Sequence, residues 1–332
     1  MNAMVLEKQG PVESGPLRWT KVEAPQPAEN EVLVWVACCA VCRTDLHIVE
    51  GDLPPAKLPV VPGHQIVGRV ERTGKECTRF KPGDRVGVAW LRHTCGACDL
   101  CLRGRENLCE ASRYTGYHAD GGYAEWVVAP EDYVYALPEG YSDIEAAPLL
   151  CSGIIGYRAL KRAQPPDGGT LALYGFGASA HVVLPIAKAR GLRVLVVSRG
   201  EEHLRLAREL GADWAGVDPA SMPTRPDSAI LFAPVGTLVP VALEHLRRGG
   251  TLSLAGIHLS DVPPLNYEKH LFYERDVHPV TANTREDARE LLAEAAKTQF
   301  RPKATVYPLA EANRALVDLK GGRISGSGVL VN

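Results

Sequence analysis

Leu171-Ala-Leu-Tyr174-Gly175-Phe-Gly177-Ala-Ser-Ala180 is the stretch that decides the fold of the central part of this chain. Four residues that suit a buried strand run into two glycines, and a helical pattern follows. In such a unit Gly175 allows a tight turn, Gly177 lets a pyrophosphate approach the amides at the helix start, and Ala180 permits close packing of helix on strand. The stretch predicts a dinucleotide-binding turn, with a plain structural turn as the alternative.

Further strands follow this turn, with helical patterns between them. The six strand candidates of this region lie at 171–174, 193–197, 214–217, 229–232, 251–255 and 277–281. Parallel strands need helical crossovers, so this alternation predicts a doubly wound parallel sheet of the Rossmann type. Beyond it, one amphipathic helix from about residue 285 and then short strands at 304–307 and 328–331 are predicted.

The first 150 residues have a different pattern, in which apolar and polar residues alternate over short segments. Examples are 31–37, 65–70 and 122–129, and glycine and proline separate them. This pattern predicts a β-rich, barrel-like domain. Since 332 residues exceed what one core usually covers, two domains are expected. They are a barrel domain over 1–152, to which a C-terminal segment over 283–332 returns, and a dinucleotide-binding domain over 153–282.

The end of the strand candidate at 193–197 bears on the choice of cofactor. A sheet that binds NAD usually places a carboxylate there, about twenty residues beyond the first glycine, against the ribose hydroxyl. This chain has Ser198 and Arg199 at that place. The missing carboxylate removes repulsion of a 2′-phosphate, and a guanidinium can pair with one bidentately. The sequence therefore favours NADP(H) over NAD(H), and an exposed loop arginine is the alternative interpretation.

Four cysteines fall within fifteen residues, at Cys95, Cys98, Cys101 and Cys109. Four thiolates suit a tetrahedral structural zinc ion, because they leave no coordination position for water or substrate. A zinc knuckle that binds nucleic acid is the competing interpretation, but the stretch has few basic residues and no interleaved aromatic residues. We therefore predict a zinc lobe that holds its own domain together.

Three further potential ligands, Cys42, His64 and Cys151, lie far apart in the sequence. Two thiolates and one imidazole would leave the fourth position of a zinc ion open for chemistry. Taken alone the signal is weak, because a lone cysteine is more often a small buried apolar residue. A second, reactive zinc site is predicted on the condition that the fold brings these residues together.

The charge balance and the cysteine usage exclude several classes of protein. The formal net charge is −2 and no block rich in Lys and Arg occurs, so a nucleic-acid partner is not expected. The first residues carry charges where a signal peptide needs apolar ones, and no apolar run has the length of a membrane span. The chain has nine cysteines, and the metal-ligand spacing of the four in the lobe favours reduced thiols over a disulfide framework. We expect a cytoplasmic protein.

Several motifs of this chain occur together in one order and spacing. They are Val41-Cys42-Arg-Thr44-Asp45-Leu-His47, Pro62-Gly63-His64, Gly83-Asp-Arg-Val86, the cysteine lobe and the glycine turn. Through them the chain resembles, over nearly its whole length, the zinc-dependent alcohol dehydrogenases of the medium-chain dehydrogenase/reductase superfamily. It looks nearest to the propanol-preferring and cinnamyl-type branches. The resemblance implies an α/β plus β fold, in which a GroES-like β-barrel catalytic domain accompanies the doubly wound Rossmann domain.

The resemblance also implies roles for single residues. The three scattered ligands would bind a catalytic zinc ion, and the four cysteines of the lobe a structural one. A hydroxyl at Thr44 would take the alcohol's proton and pass it through the cofactor ribose to the imidazole of His47. Asp45 would orient His64 by accepting its other N–H group. The alternatives are a helix cap for Thr44, a surface histidine for His47 and a helix-start carboxylate for Asp45.

Two positions depart from the pattern of the relatives, and a third bears on substrate size. Gln65 stands where a glutamate usually follows the zinc-bound histidine, and Ser327 stands where an arginine near the cofactor is common. Trp90 matches a position that lines the alcohol pocket in relatives, and its bulk favours small primary alcohols over branched secondary ones. A tryptophan of the barrel core is the alternative interpretation of Trp90.

The reaction that the resemblance implies is the reversible oxidation of primary alcohols to aldehydes, with hydride transfer to NADP or, alternatively, NAD. A zinc-independent reductase of quinones or enoyl groups is one competing function, and it would have no use for seven metal ligands. A non-catalytic cofactor-binding protein is another, and the presence of Thr44 and His47 beside a complete ligand set argues against it. Relatives of this length are usually homotetramers, with dimers also frequent, and a tetramer is expected.

Overall fold

The computed structural model describes residues 1–332. Its strands are β1 (Asn2–Leu6), β2 (Leu17–Lys21), β3 (Glu31–Val41), β4 (Ile66–Thr73), β5 (Arg85–Val88), β6 (Leu91–His93), β7 (Arg113–Tyr114), β8 (Trp126–Pro130), β9 (Val134–Ala136), β10 (Thr170–Tyr174), β11 (Arg193–Val197), β12 (Trp214–Gly216), β13 (Ser228–Leu231), β14 (Thr251–Leu254), β15 (Asp276–Pro279), β16 (Ala304–Pro308) and β17 (Ser327–Val331). Its helices are α1 (Arg43–Glu50), α2 (Asp99–Leu102), α3 (Asp143–Ala146), α4 (Ser152–Ala163), α5 (Ala178–Ala189), α6 (Glu201–Glu209), α7 (Leu238–His245), α8 (Tyr267–His270), α9 (Arg285–Thr298) and α10 (Ala312–Lys320).

The chain divides into two units. Unit 1 consists of Met1–Cys151 and Ala282–Asn332, and unit 2 of Ser152–Thr281. Unit 1 therefore contains both ends of the chain, and β17 pairs antiparallel with β3. None of the helices combines the length and the apolar composition that a membrane-spanning helix needs.

A seven-stranded sheet forms the body of unit 1. Its order is β16-β17-β3-β4-β5-β9, and β8 pairs with β3. The register between β3 and β4 shifts twice, which bends β3 as bulges do. Val32, Val34 and Val36 alternate along β3, so they share one face of the strand, and all three belong to the hydrophobic core. The strand ends at Val41, and Cys42 follows it directly.

Six parallel strands form the sheet of unit 2, in the order β12-β11-β10-β13-β14-β15. Counted along the chain, this order is 3-2-1-4-5-6, and it reverses beside the first strand. Every residue of β10 is buried, as expected for a parallel strand that helices cover on both faces. The predicted Rossmann sheet is thus confirmed, and each of its six strands overlaps a predicted one.

The C-terminal part of unit 1 contains a helix that the sequence analysis missed. The predicted helix is α9, which begins at a capping box formed by Thr284 and Asp287. The expectation of strands alone after it was wrong, because α10 lies between β16 and β17. These two strands are parallel, so a crossover must connect them. Ala312, Ala315 and Leu316 of α10 recur at helical spacing and are buried in the core.

The carboxylate of Glu131 joins the connection between β8 and β9 to the loop at residues 78–80 by hydrogen bonds. Its two carboxylate oxygens accept the backbone N–H groups of Thr78, Arg79 and Phe80 at 3.0, 2.7 and 3.0 Å. Burial raises the pKa of Glu131, but the three amide donors outweigh burial and hold the pKa below its ordinary value. The ionised form of Glu131 therefore stabilises the fold of unit 1.

We expect Glu131→Gln to lower the free energy of unfolding at pH 7 by about 1–3 kcal/mol, since it removes charge-assisted hydrogen bonds and points an NH₂ group at an amide donor. A carboxyl group whose pKa is lower in the folded state than in the unfolded state stabilises the fold at pH values above its unfolded-state pKa, which is near 4.5. That contribution is lost as the pH falls through the folded-state value. Urea unfolding of both proteins at pH 7 and at about pH 4 is the measurement. The difference between them must shrink at the lower pH, and an undiminished difference would contradict this role.

Candidate functional site

Cys42, His64 and Cys151 meet in unit 1. Cys42 is the N-cap of α1, His64 lies in the segment before β4, and Cys151 follows a 3₁₀ turn at Ala147–Leu150. The ligand atoms of the three residues lie within 4.8 Å of one another. Cys42 Sγ is 3.2 Å from His64 Nε2. The fold thus places side by side three residues that are far apart in the sequence.

Asp45 contacts two members of this cluster. Its Oδ2 accepts the backbone N–H of Cys42 at 2.9 Å, and its Oδ1 lies 3.1 Å from His64 Nδ1. The side chains of Asp45 and His64 are both fully buried. Because the carboxylate engages Nδ1, the Nε2 atom of His64 is directed toward the thiols. Asp45 therefore makes the helix-start contact and the contact with His64 at the same time.

The cluster has the electrostatics of a cation site. Burial lowers the pKa of His64, but the buried carboxylate of Asp45 opposes burial, and the net shift of this pKa is upward. A hydrogen bond with Cys151, together with burial, raises the pKa of Cys42 well above its ordinary value. Protons therefore occupy donor atoms that crowd around one point, and a divalent cation would displace them. Two sulfurs and one imidazole nitrogen are donors that zinc prefers, so these residues fit a zinc ion.

Thr44 and His47 lie on one face of α1, since they are three residues apart. Thr44 does not cap the helix, because Cys42 has that position. His47 Nδ1 is 2.7 Å from Asp52 Oδ2. Exposure increases along the series: Thr44 is 7% exposed, and the side chains of His47 and Asp52 are 14% and 50% exposed. Asp52 could not be predicted from the sequence, because no motif of the chain includes a polar residue in the loop after α1.

The four cysteines of the lobe also converge. Their Sγ atoms lie within 4.8 Å of one another. Backbone amides point at the sulfurs: Cys95 N–H donates to Cys109 Sγ at 3.4 Å, and Cys98 N–H donates to Cys95 Sγ at 3.3 Å. Hydrogen bonds from the backbone of Ala97 and Cys98 lower the pKa of Cys95 to about 6, which favours its thiolate at neutral pH. Four sulfur donors in this arrangement fit a tetrahedral zinc ion with no open position.

An ion pair between Glu106 and Arg285 connects the cysteine lobe to α9. Arg285 donates its backbone N–H and two guanidinium nitrogens to the carboxylate of Glu106, at 2.7 to 3.2 Å. The guanidinium also lies 4.8 Å from the ring centre of Tyr133. The Tyr133 hydroxyl accepts the N–H of Thr94, the residue before Cys95, at 2.8 Å. This ion pair could not be predicted from the sequence, because 179 positions separate Glu106 from Arg285 and no motif includes them.

The glycine turn lies at the carboxyl end of β10 in unit 2. Gly175 has a φ of +89°, and a Cβ atom there would lie 2.9 Å from the backbone nitrogen of Ala233, so a side chain does not fit. Gly177 is the N-cap of α5, and nothing lies within 4 Å of the place of its Cβ. Ala180 is fully buried. The turn thus leaves the amides at the start of α5 accessible to a phosphate group.

Ser198 and Arg199 follow β11, the strand that pairs with β10. Ser198 is buried and donates its backbone N–H to Gly216 O at 3.1 Å, whereas Arg199 is exposed. Both residues therefore lie at the same sheet edge as the glycine turn, beside the point where the strand order reverses. Dinucleotides bind at that edge of doubly wound sheets.

The chain matches two protein-family models, the alcohol dehydrogenase GroES-like domain over residues 28–139 and the zinc-binding dehydrogenase over residues 178–297. It is 52% identical to the probable alcohol dehydrogenase AdhA of Mycobacterium tuberculosis, an alignment that covers 100% of this chain and 97% of that protein. The chain belongs to the zinc-dependent alcohol dehydrogenases. Like its relatives, this alcohol dehydrogenase is an NAD(P)-dependent oxidoreductase that oxidises alcohols reversibly.

Solved structures agree with this assignment. The cobalt- and zinc-bound thermostable alcohol dehydrogenase of Pyrobaculum aerophilum superposes on the dehydrogenase with a TM-score of 0.91 at 26% identity, and the match covers 100% of this chain and 99% of that one. The cinnamyl alcohol dehydrogenase SbCAD4 of Sorghum bicolor has a TM-score of 0.90 at 26% identity, with 99% and 97% covered. The predicted family and the predicted GroES-like plus Rossmann fold are confirmed.

Trp90 and Gln65 both lie beside His64 in this dehydrogenase. Trp90 is 8% exposed and belongs to the hydrophobic core of unit 1. Its ring centre is 4.7 Å from that of His64, with an angle of 65° between the planes. Gln65 directly follows His64 and is fully buried. Trp90 is therefore a residue of the barrel core that also packs edge-on against His64. It has features of a core tryptophan and of a residue that lines the alcohol pocket.

Proposed function

We propose that this dehydrogenase interconverts primary alcohols and aldehydes with NADP(H), using a zinc ion bound to Cys42, His64 and Cys151. The main support for the proposal is that the ligand atoms of these three residues lie within 4.8 Å of one another. The helix that contains Thr44 and His47 begins directly after Cys42. Three protein ligands leave one zinc position for a substrate. The bound zinc ion supplies Lewis-acid polarisation that lowers the pKa of the alcohol hydroxyl, and the bound nicotinamide supplies the hydride acceptor.

The residues of α1 provide a route for the proton that the alcohol loses. The Thr44 hydroxyl accepts this proton as it gives up its own, and His47, one turn further on the same face, takes up a proton and transfers it toward solvent. An ionised carboxylate can only accept hydrogen bonds, so His47 Nδ1 donates to Asp52 and Nε2 remains the basic nitrogen of the neutral ring. The increase in exposure from Thr44 to Asp52 supports a path that leads outward.

We also propose that Cys95, Cys98, Cys101 and Cys109 hold a second zinc ion with a structural role. All nine cysteines are free thiols, which leaves these four available as metal ligands. The contacts of Glu106 with Arg285 connect the lobe to α9, so the metal that orders the lobe would also stabilise the return of the C-terminal segment to unit 1. Reduced thiol ligands suit the cytoplasm, which is the proposed location.

The preference for primary alcohols follows from the position of Trp90. An indole held against His64 occupies space beside the proposed metal site, and one additional methyl group in a confined apolar pocket costs about 1–3 kcal/mol. Steady-state kinetics with a panel of primary, secondary and aryl alcohols tests this proposal. A higher kcat/KM for a branched secondary alcohol than for 1-propanol would contradict it.

Arg199 carries the proposed preference for NADP(H). Replacing Arg199 with leucine should lower kcat/KM for NADPH about tenfold, because one charge-assisted hydrogen bond to the 2′-phosphate is lost. The value for NADH should change less than about twofold, since NADH has no such phosphate. Arg205→Leu is the matched control, because Arg205 is an exposed arginine of α6 that pairs with Glu209. Equal or better kcat/KM of the unaltered enzyme with NAD⁺ would overturn the preference.

The proposed assembly is a homotetramer, with a dimer as the alternative. It rests on the usual state of relatives of this length. Light scattering of the purified enzyme measures the mass directly, and the chain mass of 35.9 kDa makes the two states easy to separate.

A further inference from the structure

Two tyrosine rings stack on the indole of Trp90, which lies next to His64. The rings of Trp90 and Tyr114 are stacked, with centres 4.7 Å apart and planes at 10°. Tyr117 stacks on Trp90 as well, at 6.0 Å and 26°. Offset stacking of this kind is favourable and restricts the rotamers of all three rings. The orientation of the Trp90 indole against His64 therefore depends on the two tyrosines.

The tyrosines belong to the aromatic loop, which we define as Tyr114–Gly121. This loop rests directly on the segment that leads to His64. A Cβ atom at Gly116 would lie 2.8 Å from the nitrogen of Gly63, and one at Gly121 would lie still closer to the Gly63 carbonyl oxygen. Gly121 N–H donates to Val61 O at 2.7 Å. The loop backbone is thus fixed relative to His64, and its side chains are placed accordingly.

Tyr117 extends from this loop to a second segment. Its hydroxyl donates to the carbonyl of Pro54 at 2.5 Å. Pro54 lies two residues after Asp52, whose carboxylate contacts His47. The edge of the His118 ring packs against Tyr117, with centres 4.7 Å apart. Tyr117 therefore joins the Trp90 indole at one end to the loop after α1 at the other.

We propose that Tyr117 is a specificity-determining residue, which holds Trp90 against His64 and so keeps the space beside the metal site too narrow for branched alcohols. The inference rests on the proposed function, because it takes His64 as a ligand and an alcohol as the substrate. It adds Tyr117 as the residue that keeps Trp90 in the position that excludes branched alcohols. Trp90 supplies the bulk, while Tyr117 prevents the indole from turning away when a branched substrate enters.

The test compares Tyr117→Ala with Tyr117→Phe. The alanine variant removes the ring that stacks on Trp90, so kcat/KM for 2-butanol relative to 1-propanol should rise about tenfold, which is the effect of relieving one methyl group of crowding. The phenylalanine variant keeps the ring and should stay within about twofold of the unaltered enzyme. Tyr267→Ala, at an exposed position of unit 2, is the control for loss of a surface tyrosine. An unchanged ratio in the alanine variant would overturn the proposal.

A second readout does not depend on catalysis. The contribution of Trp90 to the fluorescence is isolated by subtracting the spectrum of the matching Trp90→Phe protein. In Tyr117→Ala this contribution should move to longer wavelength and become more accessible to acrylamide, whereas in Tyr117→Phe it should not. Identical Trp90 emission in the alanine variant would contradict the positioning role. If the unaltered, zinc-loaded enzyme oxidised no alcohol, the proposed function would fail, and the fluorescence alone would decide whether Tyr117 positions Trp90.

Discussion

Replacing Cys42 with serine should lower kcat/KM for alcohol oxidation by about 10⁴-fold, because the Lewis-acid contribution of a metal ion amounts to several kcal/mol. A hydroxyl is a poor zinc ligand compared with a thiolate. The zinc content of the purified variant should fall by about one ion per chain, since the four cysteines of the lobe are untouched. Kinetics and metal analysis of the same preparation measure both effects.

Cys77→Ser is the matched control for this variant. Cys77 is also a free, half-buried cysteine of unit 1, but its Sγ lies 3.3 Å from the carbonyl of Glu31 and it belongs to neither cluster. A serine can keep that hydrogen bond, so activity and zinc content should remain. A Cys42→Ser enzyme that retained more than about a tenth of the activity would rule out Cys42 as a ligand of the catalytic metal.

The second large effect is expected at Thr44. Thr44→Val conserves the shape of the side chain and removes the hydroxyl that we propose as the acceptor of the alcohol's proton. General acid–base groups contribute about 10²–10⁴-fold, so kcat should fall by that factor while the zinc content stays the same. Thr44→Ser restores the hydroxyl and should recover most of the loss. Equal rates for the valine and threonine enzymes would show that the proton leaves by another route.

The fold could be predicted in large part, because its strongest signals are local. Strands of unit 2 are short apolar runs between helical patterns, and the glycines of the turn after β10 follow one of them directly. The helix α10 was missed although its sequence carries a helical pattern, Ala312, Ala315 and Leu316. The pattern extends over few residues and lies between two segments that predict strands. The parallel pairing of β16 with β17, which requires a crossover, is not visible in either strand alone.

The residues of the candidate site could also be predicted only in part. The ligand set of Cys42, His64 and Cys151 could be inferred only through the resemblance, since single cysteines and histidines carry no spacing signal. Asp52 and Tyr117 could not be predicted at all. Asp52 contacts His47 and the ring of Tyr117 stacks on Trp90, and such contacts depend on how the loops pack. Sequence motifs therefore indicated the reacting groups, and the structure added the residues that hold them in place.

We propose that this alcohol dehydrogenase works with a catalytic zinc ion and a separate structural one. The most direct test is the zinc content of the purified protein, measured together with NADPH-dependent aldehyde reduction before and after selective chelation. We predict about two zinc ions per chain, and activity that disappears when about one of them is removed. About one zinc ion per chain with no turnover, or turnover that chelation leaves unchanged, would contradict the claim.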